Sequence, residues 1–247
     1  MLKLQMPWGR MAYTDTGGGG TPLVLLHGTG CDSEDWEGML AALPRGLRTV
    51  CLDFRGHGDS DVPAEKFTLG GLAADVLALA KHLGLQSMFL VGHSLGGIAA
   101  MAVAARSPRV AGMVLLEGWT NLRAAEAFSG QRLYGGLDEQ AIRQIQEKAE
   151  KTVRRYRADV WSALGQSVGN FDGFPYLQEA AIPIVEVYGE MGKSDGTEAL
   201  LYIPPNPRIS LIWIADAGHY LPHERPAEVA EICRRVVAGS EPTSSRD

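Results

Sequence analysis

Short, continuous runs of apolar residues recur along this chain of 247 residues, and segments of helical character separate most of them. The runs lie at residues 22–26, 48–54, 87–91, 110–116, 182–188 and 209–214. Such runs are typical of strands that are buried on both faces. A further strand is expected at 10–14, and helices are expected at 69–83, 95–105 and 227–237. The alternation predicts an α/β fold, in which helices flank a mostly parallel twisted sheet of about eight strands.

One stretch interrupts this alternation. Residues 119–180 contain no apolar strand-like run, and residues 138–156 have the charged composition of a surface helix. We therefore expect a small helical cap, inserted after the sixth strand and lying over one end of the sheet. The chain then divides into a first part of the core at 1–118, the cap at 119–180 and a second part of the core at 181–247.

The cap segment is rich in aromatic side chains, and its underside is a candidate substrate site. The rings expected to bind substrate are Trp119, Phe128, Tyr134 and Trp161. The alternative is that these rings form the hydrophobic core of the cap itself.

The sequence Gly92-His93-Ser94-Leu95-Gly96 lies between a predicted strand and a predicted helix. This is the structural context that the G-x-S-x-G motif requires. A sharp turn exposes the serine hydroxyl, and the two glycines leave room for a tight backbone. The positive end of the following helix points at a site where negative charge develops. These features predict Ser94 as a nucleophile that a neighbouring base activates.

A second glycine-rich turn, at residues 27–30 (HGTG), directly follows the strand at 22–26. Such a turn can aim a backbone N–H at the same oxygen as the N–H of Leu95. Two donors of this kind form an oxyanion hole, in which each stabilises the transition state by about 3–4 kcal/mol. The alternative is an ordinary β-turn.

The base is expected to be His219, which follows the last predicted strand. The carboxyl ends of parallel strands gather at one edge of a sheet, so His219 can reach Ser94. The other histidines lie in glycine-rich turns, on a helix or four residues too late in the chain. They are His27, His57, His82, His93 and His223.

Taken together, the motifs resemble those of the α/β-hydrolases of the serine-esterase type. HGTG at 27–30, DFRGHGDS at 53–60, GHSLGG at 92–97 and AGHY at 217–220 occur in that family's order. The resemblance implies Ser94 as the nucleophile and His219 as the base. It also implies that the backbone N–H groups of Thr29 and Leu95 are the oxyanion donors.

The same resemblance implies a lid between the sixth and seventh strands, which is where the insertion falls. It further implies that three residues of the DFRGHGDS segment brace the loops rather than react. These residues are Arg55, His57 and Asp59.

The acid that should orient His219 departs from the family pattern. The family usually places an aspartate three residues after the glycine that ends the seventh strand, and Gly192 occupies that position here. We favour Glu117, because it ends the preceding strand as the acid does in haloalkane dehalogenases and because a carboxylate there needs a partner. Asp195, in a lengthened loop, is the alternative acid. Glu190, or no acid at all, also remains open.

The residues favour a serine hydrolase that cleaves carboxylic esters of small to medium acyl compounds through an acyl-enzyme intermediate. Dehalogenases and epoxide hydrolases of this fold carry an aspartate where this chain has Ser94, so their alkyl-enzyme chemistry is not expected. Lactone hydrolysis, C–C bond hydrolysis and perhydrolysis use the same serine and histidine and stay open. A non-catalytic ligand-binding protein is the alternative from another class, and Gly192 is the feature that favours it.

Composition narrows the partners and the compartment. A formal charge of −6 without a Lys/Arg cluster argues against nucleic acid and anionic membranes. No apolar run approaches the ~18 residues of a membrane helix, no signal peptide is evident, and three widely spaced cysteines argue against disulfides. We therefore expect a cytoplasmic protein that acts on a small-molecule ester, with its oligomeric state open. Metal-ligand spacing and nucleotide loops are also missing, so neither a metal nor a cofactor is expected.

Overall fold

The computed structural model describes residues 1–127 and 133–239. Eight strands of these residues form one sheet in the order β1-β2-β4-β3-β5-β6-β7-β8. The strands are β1 (Leu2–Met6), β2 (Gly9–Asp15), β3 (Leu23–Leu26), β4 (Thr49–Leu52), β5 (Met88–His93), β6 (Val110–Leu116), β7 (Ile184–Gly189) and β8 (Ile209–Ile214). The pairs β1–β2 and β2–β4 are antiparallel, and the other neighbouring pairs are parallel. The expected mostly parallel sheet of about eight strands is confirmed.

Helices cover both faces of this sheet. They are α1 (Glu37–Ala42), α2 (Leu69–His82), α3 (Leu95–Ala104), α4 (Glu139–Arg154), α5 (Ala158–Gly169), α6 (Phe174–Glu179), α7 (Thr197–Leu200), α8 (Leu221–Glu224) and α9 (Pro226–Val237). Apolar side chains of α2, α3 and α5 pack into the core on one face, and those of α1 and α9 pack on the other. The central strands, β3 to β7, are buried between these layers, which explains their continuous apolar sequences.

The edge strand β1 and the short helix α1 were not predicted from the sequence. Among the described residues, strand β1 pairs with β2 alone, and its first residue, Leu2, is 53% exposed. Its sequence, LKLQM, mixes polar and apolar residues because one edge and much of both faces meet solvent. It therefore lacks the apolar run that identified the buried strands.

Between β6 and β7 the described part of the chain contains helical segments and no strand. The segments are a 3-10 turn at Leu122–Ala127, followed by α4, α5 and α6. Asp138 begins α4 by accepting a hydrogen bond from the Ala141 N–H at 2.8 Å, as a helix-capping aspartate does. The division into a core and a cap stays a prediction.

Two further findings concern the described residues as a whole. None of their helices combines the length and the apolar character needed to cross a membrane. The cysteines, Cys31, Cys51 and Cys233, are buried and free.

Candidate active site

Ser94 lies at the turn between β5 and α3 and has a strained backbone. Its φ of 52° and ψ of −116° fall outside the regions that residues with side chains prefer. Its N–H donates to the carbonyl of Leu116, the last residue of β6, at 2.9 Å. The turn therefore ties the predicted nucleophile to the end of the neighbouring strand, while the Ser94 side chain stays only half-buried.

The glycines around Ser94 are required by close backbone approach. A Cβ on Gly92 would overlap the backbone of Gly96, and a Cβ on Gly96 would overlap the carbonyl oxygen of Leu26. Since any side chain at these positions would push β3, β5 and α3 apart, the turn can form only with glycine there.

The HGTG turn runs beside the nucleophile. A Cβ on Gly28 would stand 3.4 Å from the Cβ of Ser94. Thr29, the next residue, is exposed, whereas Leu95 is buried as the first residue of α3. The structure thus brings the HGTG turn close to Ser94, which directly precedes the start of α3. Their role as oxyanion donors remains a prediction.

His219 follows β8 and lies against the nucleophile turn. Its carbonyl oxygen accepts a hydrogen bond from Nε2 of His93 at 2.9 Å, and the two rings are 5.0 Å apart. Burial lowers the pKa of His93 well below its usual value, and the nearby His219 adds to the effect. The neutral His93 side chain, directly before Ser94, therefore links the nucleophile turn to the backbone of His219.

Glu117 directly follows β6 and is completely buried. Its Oε2 lies 3.3 Å from Nδ1 of His219, and its Oε1 accepts the N–H of Gly189 at 2.8 Å. Its own N–H donates to the Val187 carbonyl at 2.8 Å, and its φ of 53° turns the chain sharply after the strand. The carboxylate thus contacts both the end of β7 and Nδ1 of His219. This is the ring nitrogen that an orienting acid must contact.

The other proposed acids lie elsewhere. Asp195 and Glu190 are both exposed in the segment after β7. Gly192, where the family pattern expects an aspartate, has a left-handed φ of 78°. Of the three carboxylates considered from the sequence, the structure brings Glu117 into contact with His219.

A second buried carboxyl group, Glu186, lies inside β7. Its Oε2 accepts the Tyr188 hydroxyl at 3.4 Å, and its Oε1 has no hydrogen-bond partner among the described residues. Burial raises the pKa of Glu186 to about 8, with a smaller contribution from the charge of Glu117. The sequence alone could have indicated a buried carboxyl group here, because Glu186 interrupts the apolar run at 182–188.

The predicted substrate-binding rings lie in three different places. Trp119 lies 5.4 Å from the ring of His219, and Tyr134 stacks on Tyr220 at 5.5 Å. Trp161 instead packs against Tyr156 at 5.1 Å. Phe128 lies outside the described residues. The structure brings Trp119 closest to the predicted catalytic residues.

The DFRGHGDS segment makes structural contacts. Arg55 donates to both carboxylate oxygens of Asp75 at 2.6 and 2.7 Å, and the Asp59 N–H donates to Asp53 at 2.8 Å. His57 lies 3.1 Å from the Tyr156 hydroxyl, and burial lowers the pKa of His57 to about 3. These contacts support the bracing role implied by the resemblance.

Sequence reasoning missed Glu224, which binds the loop that carries His219. Its carboxylate accepts the N–H groups of Gly218 and Tyr220 at 2.7 and 2.9 Å. No local pattern marked this residue, because an acidic residue in the sequence LPHERP is equally compatible with a solvent-exposed helix.

Over residues 1–127 and 133–239, no three His, Cys, Asp or Glu side chains group in a way that could hold a metal ion.

The chain belongs to the alpha/beta hydrolase fold family, whose sequence profile matches residues 21–235. Strands β3 to β8, the strained serine turn and the histidine after the last strand all lie within this matched region, whereas β1 and β2 precede it.

Part of the chain is similar to the dihydrolipoyllysine-residue acetyltransferase component of the acetoin cleaving system of Pseudomonas putida. The identity is 41% over 120 residues, which is 48% of this chain and 32% of that protein. The chain spans about a third of the length of the curated relatives it matches.

Two solved structures are similar over nearly the whole chain. Est816, described as an N-acyl homoserine lactone degrading enzyme, has a TM-score of 0.73 at 25% identity and covers 94% of this chain and 99% of its own. A thermophilic esterase from Thermogutta terrifontis has a TM-score of 0.71 at 25% identity, with 96% and 98% covered.

Proposed function

We propose that the protein is a serine hydrolase that cleaves carboxylic esters of small to medium acyl compounds through an acyl-enzyme intermediate. The observation that carries the proposal is the 3.3 Å contact between Glu117 Oε2 and His219 Nδ1, next to the strained turn of Ser94. A serine hydroxyl reacts with esters only when a base removes its proton, and that base must be held in one orientation and tautomer.

The first half of the reaction forms the acyl-enzyme. Ser94 Oγ attacks the carbonyl carbon, and His219 Nε2 takes the hydroxyl proton, while the Nδ1–H of His219 donates to Glu117. The N–H groups of Leu95 and Thr29 bind the oxyanion of the tetrahedral intermediate. The intermediate then collapses, and the imidazolium gives its proton to the departing alcohol.

The second half uses water in place of the serine. His219 takes a proton from the water as its oxygen attacks the acyl carbon, and the imidazolium then protonates Ser94 Oγ as the acid leaves. The role of Glu117 is the same in both halves, because each creates a positive charge on His219 that the buried carboxylate stabilises.

Lactone hydrolysis is the second candidate function. Est816, which is similar over nearly the whole chain, is described as an N-acyl homoserine lactone degrading enzyme. A lactone is a cyclic ester, so the same attack opens the ring and the leaving alkoxide stays attached to the acyl group. Gly192 is the feature that favours a non-catalytic binding protein, and the contact between Glu117 and His219 is the observation that favours an enzyme instead.

The test combines labelling with turnover. A fluorophosphonate should label Ser94 in the wild type and in Ser162→Ala, whose serine lies exposed on α5, but not in Ser94→Ala. Rates on p-nitrophenyl acetate, butyrate and octanoate, on an N-acyl homoserine lactone and on a vinylogous diketone then rank the substrate classes. A perhydrolysis assay with acetate and hydrogen peroxide completes the set. A wild-type protein with neither label nor turnover would show the proposal to be wrong.

A further inference from the structure

Glu224 is a buried carboxylate at the end of α8. Its Oε2 accepts the backbone N–H of Gly218 at 2.7 Å and that of Gly136 at 2.8 Å. Its Oε1 accepts the N–H of Tyr220 at 2.9 Å. Hydrogen bonds from backbone N–H groups to an ionised carboxylate are stronger than those between neutral groups. One side chain therefore fixes three backbone groups at once.

Two of these N–H groups belong to the immediate neighbours of His219. On the opposite side of the loop, the His219 carbonyl accepts the hydrogen bond from His93 at 2.9 Å. Arg225, the residue after Glu224, donates to the carbonyl of Asp216 at 2.8 Å, where the backbone has a φ of 51°. The loop that carries His219 is thus held on both sides by side chains that do not react.

The third N–H group comes from segment 134–136, which lies within the predicted cap. Tyr134 stacks on Tyr220, with ring centroids 5.5 Å apart and an angle of 5° between the planes. Gly135 approaches the loop so closely that a Cβ there would stand 2.9 Å from the backbone nitrogen of Gly218. Segment 134–136 therefore sits directly on the two residues that flank the predicted base.

We propose that Glu224 is a positioning residue through which the seating of segment 134–136 fixes the imidazole of His219 beside Ser94. This inference rests on the proposed function. With the segment seated, Glu224 Oε2 joins it to the His219 loop; when the segment lifts, that bond and the ring stacking on the loop are lost. A displacement of the reacting groups by ~1 Å can slow a reaction ~10²-fold. In this proposal the segment acts on the chemical step through the position of His219.

The first test is Glu224→Gln. Glutamine keeps the size of the side chain but has one acceptor oxygen, so its NH₂ faces a backbone N–H on one side. We expect kcat for p-nitrophenyl acetate to fall about 10- to 100-fold, while KM stays within about twofold because the proposed role of Glu224 is to place His219 rather than to hold substrate. The matched control is Glu231→Gln, on the exposed face of α9, which should keep the kcat of the wild type.

Labelling of Ser94 separates positioning from a general loss of structure. The fraction of Glu224→Gln finally labelled by the fluorophosphonate should equal that of the wild type, since the nucleophile is intact. The rate of labelling should fall in step with kcat, because both depend on the placement of His219. A purely structural defect would lower the labelled fraction and leave kcat per labelled site unchanged.

The second test changes segment 134–136 instead of Glu224, and so probes the same connection between the segment and the His219 loop. In Gly135→Ala the added Cβ would force segment 134–136 away from Gly218. We expect kcat per labelled site to fall with little change in KM. The double variant with Glu224→Gln should fall no further than the slower single variant, because both changes break one connection. The control is Gly165→Ala on α5, where an added Cβ meets nothing within 4 Å.

Two outcomes would overturn the inference. One is a kcat per labelled site in Glu224→Gln that matches the wild type, and the other is a double variant in which the two effects multiply. If Glu224→Gln does not fold, an unchanged kcat in Gly135→Ala overturns the inference by itself. A wild type without label and turnover overturns the proposed function instead, so the two failures are distinguishable.

Discussion

The neighbouring strands β6 and β7 end at the same edge of the sheet, yet the acidic side chains that follow them lie in opposite environments. The end of β6 carries Glu117, which is fully buried and contacts both the Gly189 N–H and His219. The segment after β7 carries Glu190 and Asp195, and both are exposed.

The difference shows that two properties decide which carboxylate can orient His219. They are the burial of the carboxylate and its distance from the imidazole ring. A backbone φ of 53° at Glu117 turns the chain after β6, and its carboxylate contacts the Gly189 N–H at the end of β7 as well as His219. At the end of β7 the left-handed Gly192 continues an exposed turn and offers no carboxylate. In the proposed mechanism the acid therefore lies one strand earlier than in the family pattern, while the histidine keeps its position.

The largest expected effect comes from Glu117→Gln. The amide oxygen can still accept the Gly189 N–H, but the NH₂ would then face Nδ1 of His219 and favour the wrong tautomer. We expect kcat for p-nitrophenyl acetate to fall about 10³- to 10⁴-fold, with little change in the free energy of unfolding. Steady-state kinetics and urea unfolding measure the two quantities. A loss of less than tenfold would show that Glu117 is not the acid.

Glu186→Gln should have the next largest effect, on stability rather than on activity. Burial raises the pKa of Glu186 to about 8, whereas a glutamate in an unfolded chain titrates near about 4.3. Between these values the folded state holds the proton more tightly, so the stability supplied by neutral Glu186 is lost as pH rises. The expected contribution to the slope is about 1.4 kcal/mol per pH unit.

The measurement for Glu186 is urea unfolding at pH 5, 6.5 and 8. The wild type should lose stability with rising pH more steeply than Glu186→Gln, whose amide does not titrate. Glu190→Gln, at the exposed end of the same strand, is the matched control and should follow the wild type. Equal slopes in the wild type and Glu186→Gln would contradict a neutral buried carboxyl group.

Gly192→Ala examines the position where the family pattern expects an acid. A residue with a Cβ in the left-handed region is disfavoured by about 1–2 kcal/mol, so the free energy of unfolding should fall by roughly that amount. The turnover rate should not change, because the contact between Glu117 and His219 does not involve this turn. A large fall in kcat would instead place the end of β7 within the catalytic machinery.

The smallest effect is expected for Asp195→Asn. Asp195 is exposed, and removing its charge should leave kcat and stability within about twofold and about 0.5 kcal/mol of the wild type. It serves as the matched control for Glu117→Gln, since both exchange a carboxylate for its amide. If Asp195→Asn lost activity and Glu117→Gln kept it, the comparison of the two strand ends would be reversed.

Local patterns in the sequence determined most elements of the core and two positions of the candidate active site. Apolar runs identified the buried strands, because a strand covered on both faces cannot carry polar side chains without partners. Glycines two residues before and after Ser94 identified the turn, and the structure shows that a Cβ on either would overlap neighbouring backbone. Edge strand β1 was not predicted because an exposed strand can carry polar as well as apolar residues and so lacks a continuous apolar run.

Long-range contacts were decided only by the tertiary structure. Glu117 and His219 are 102 residues apart in the chain, and Glu224 and Gly136 are 88 residues apart. No periodicity links such pairs, and an acidic residue looks alike in sequence whether it meets solvent, a histidine or a backbone N–H. These different environments of Glu117, Asp195 and Glu224 arise from tertiary packing. The packing that matters is that of β6 against β7 and of segment 134–136 on the His219 loop.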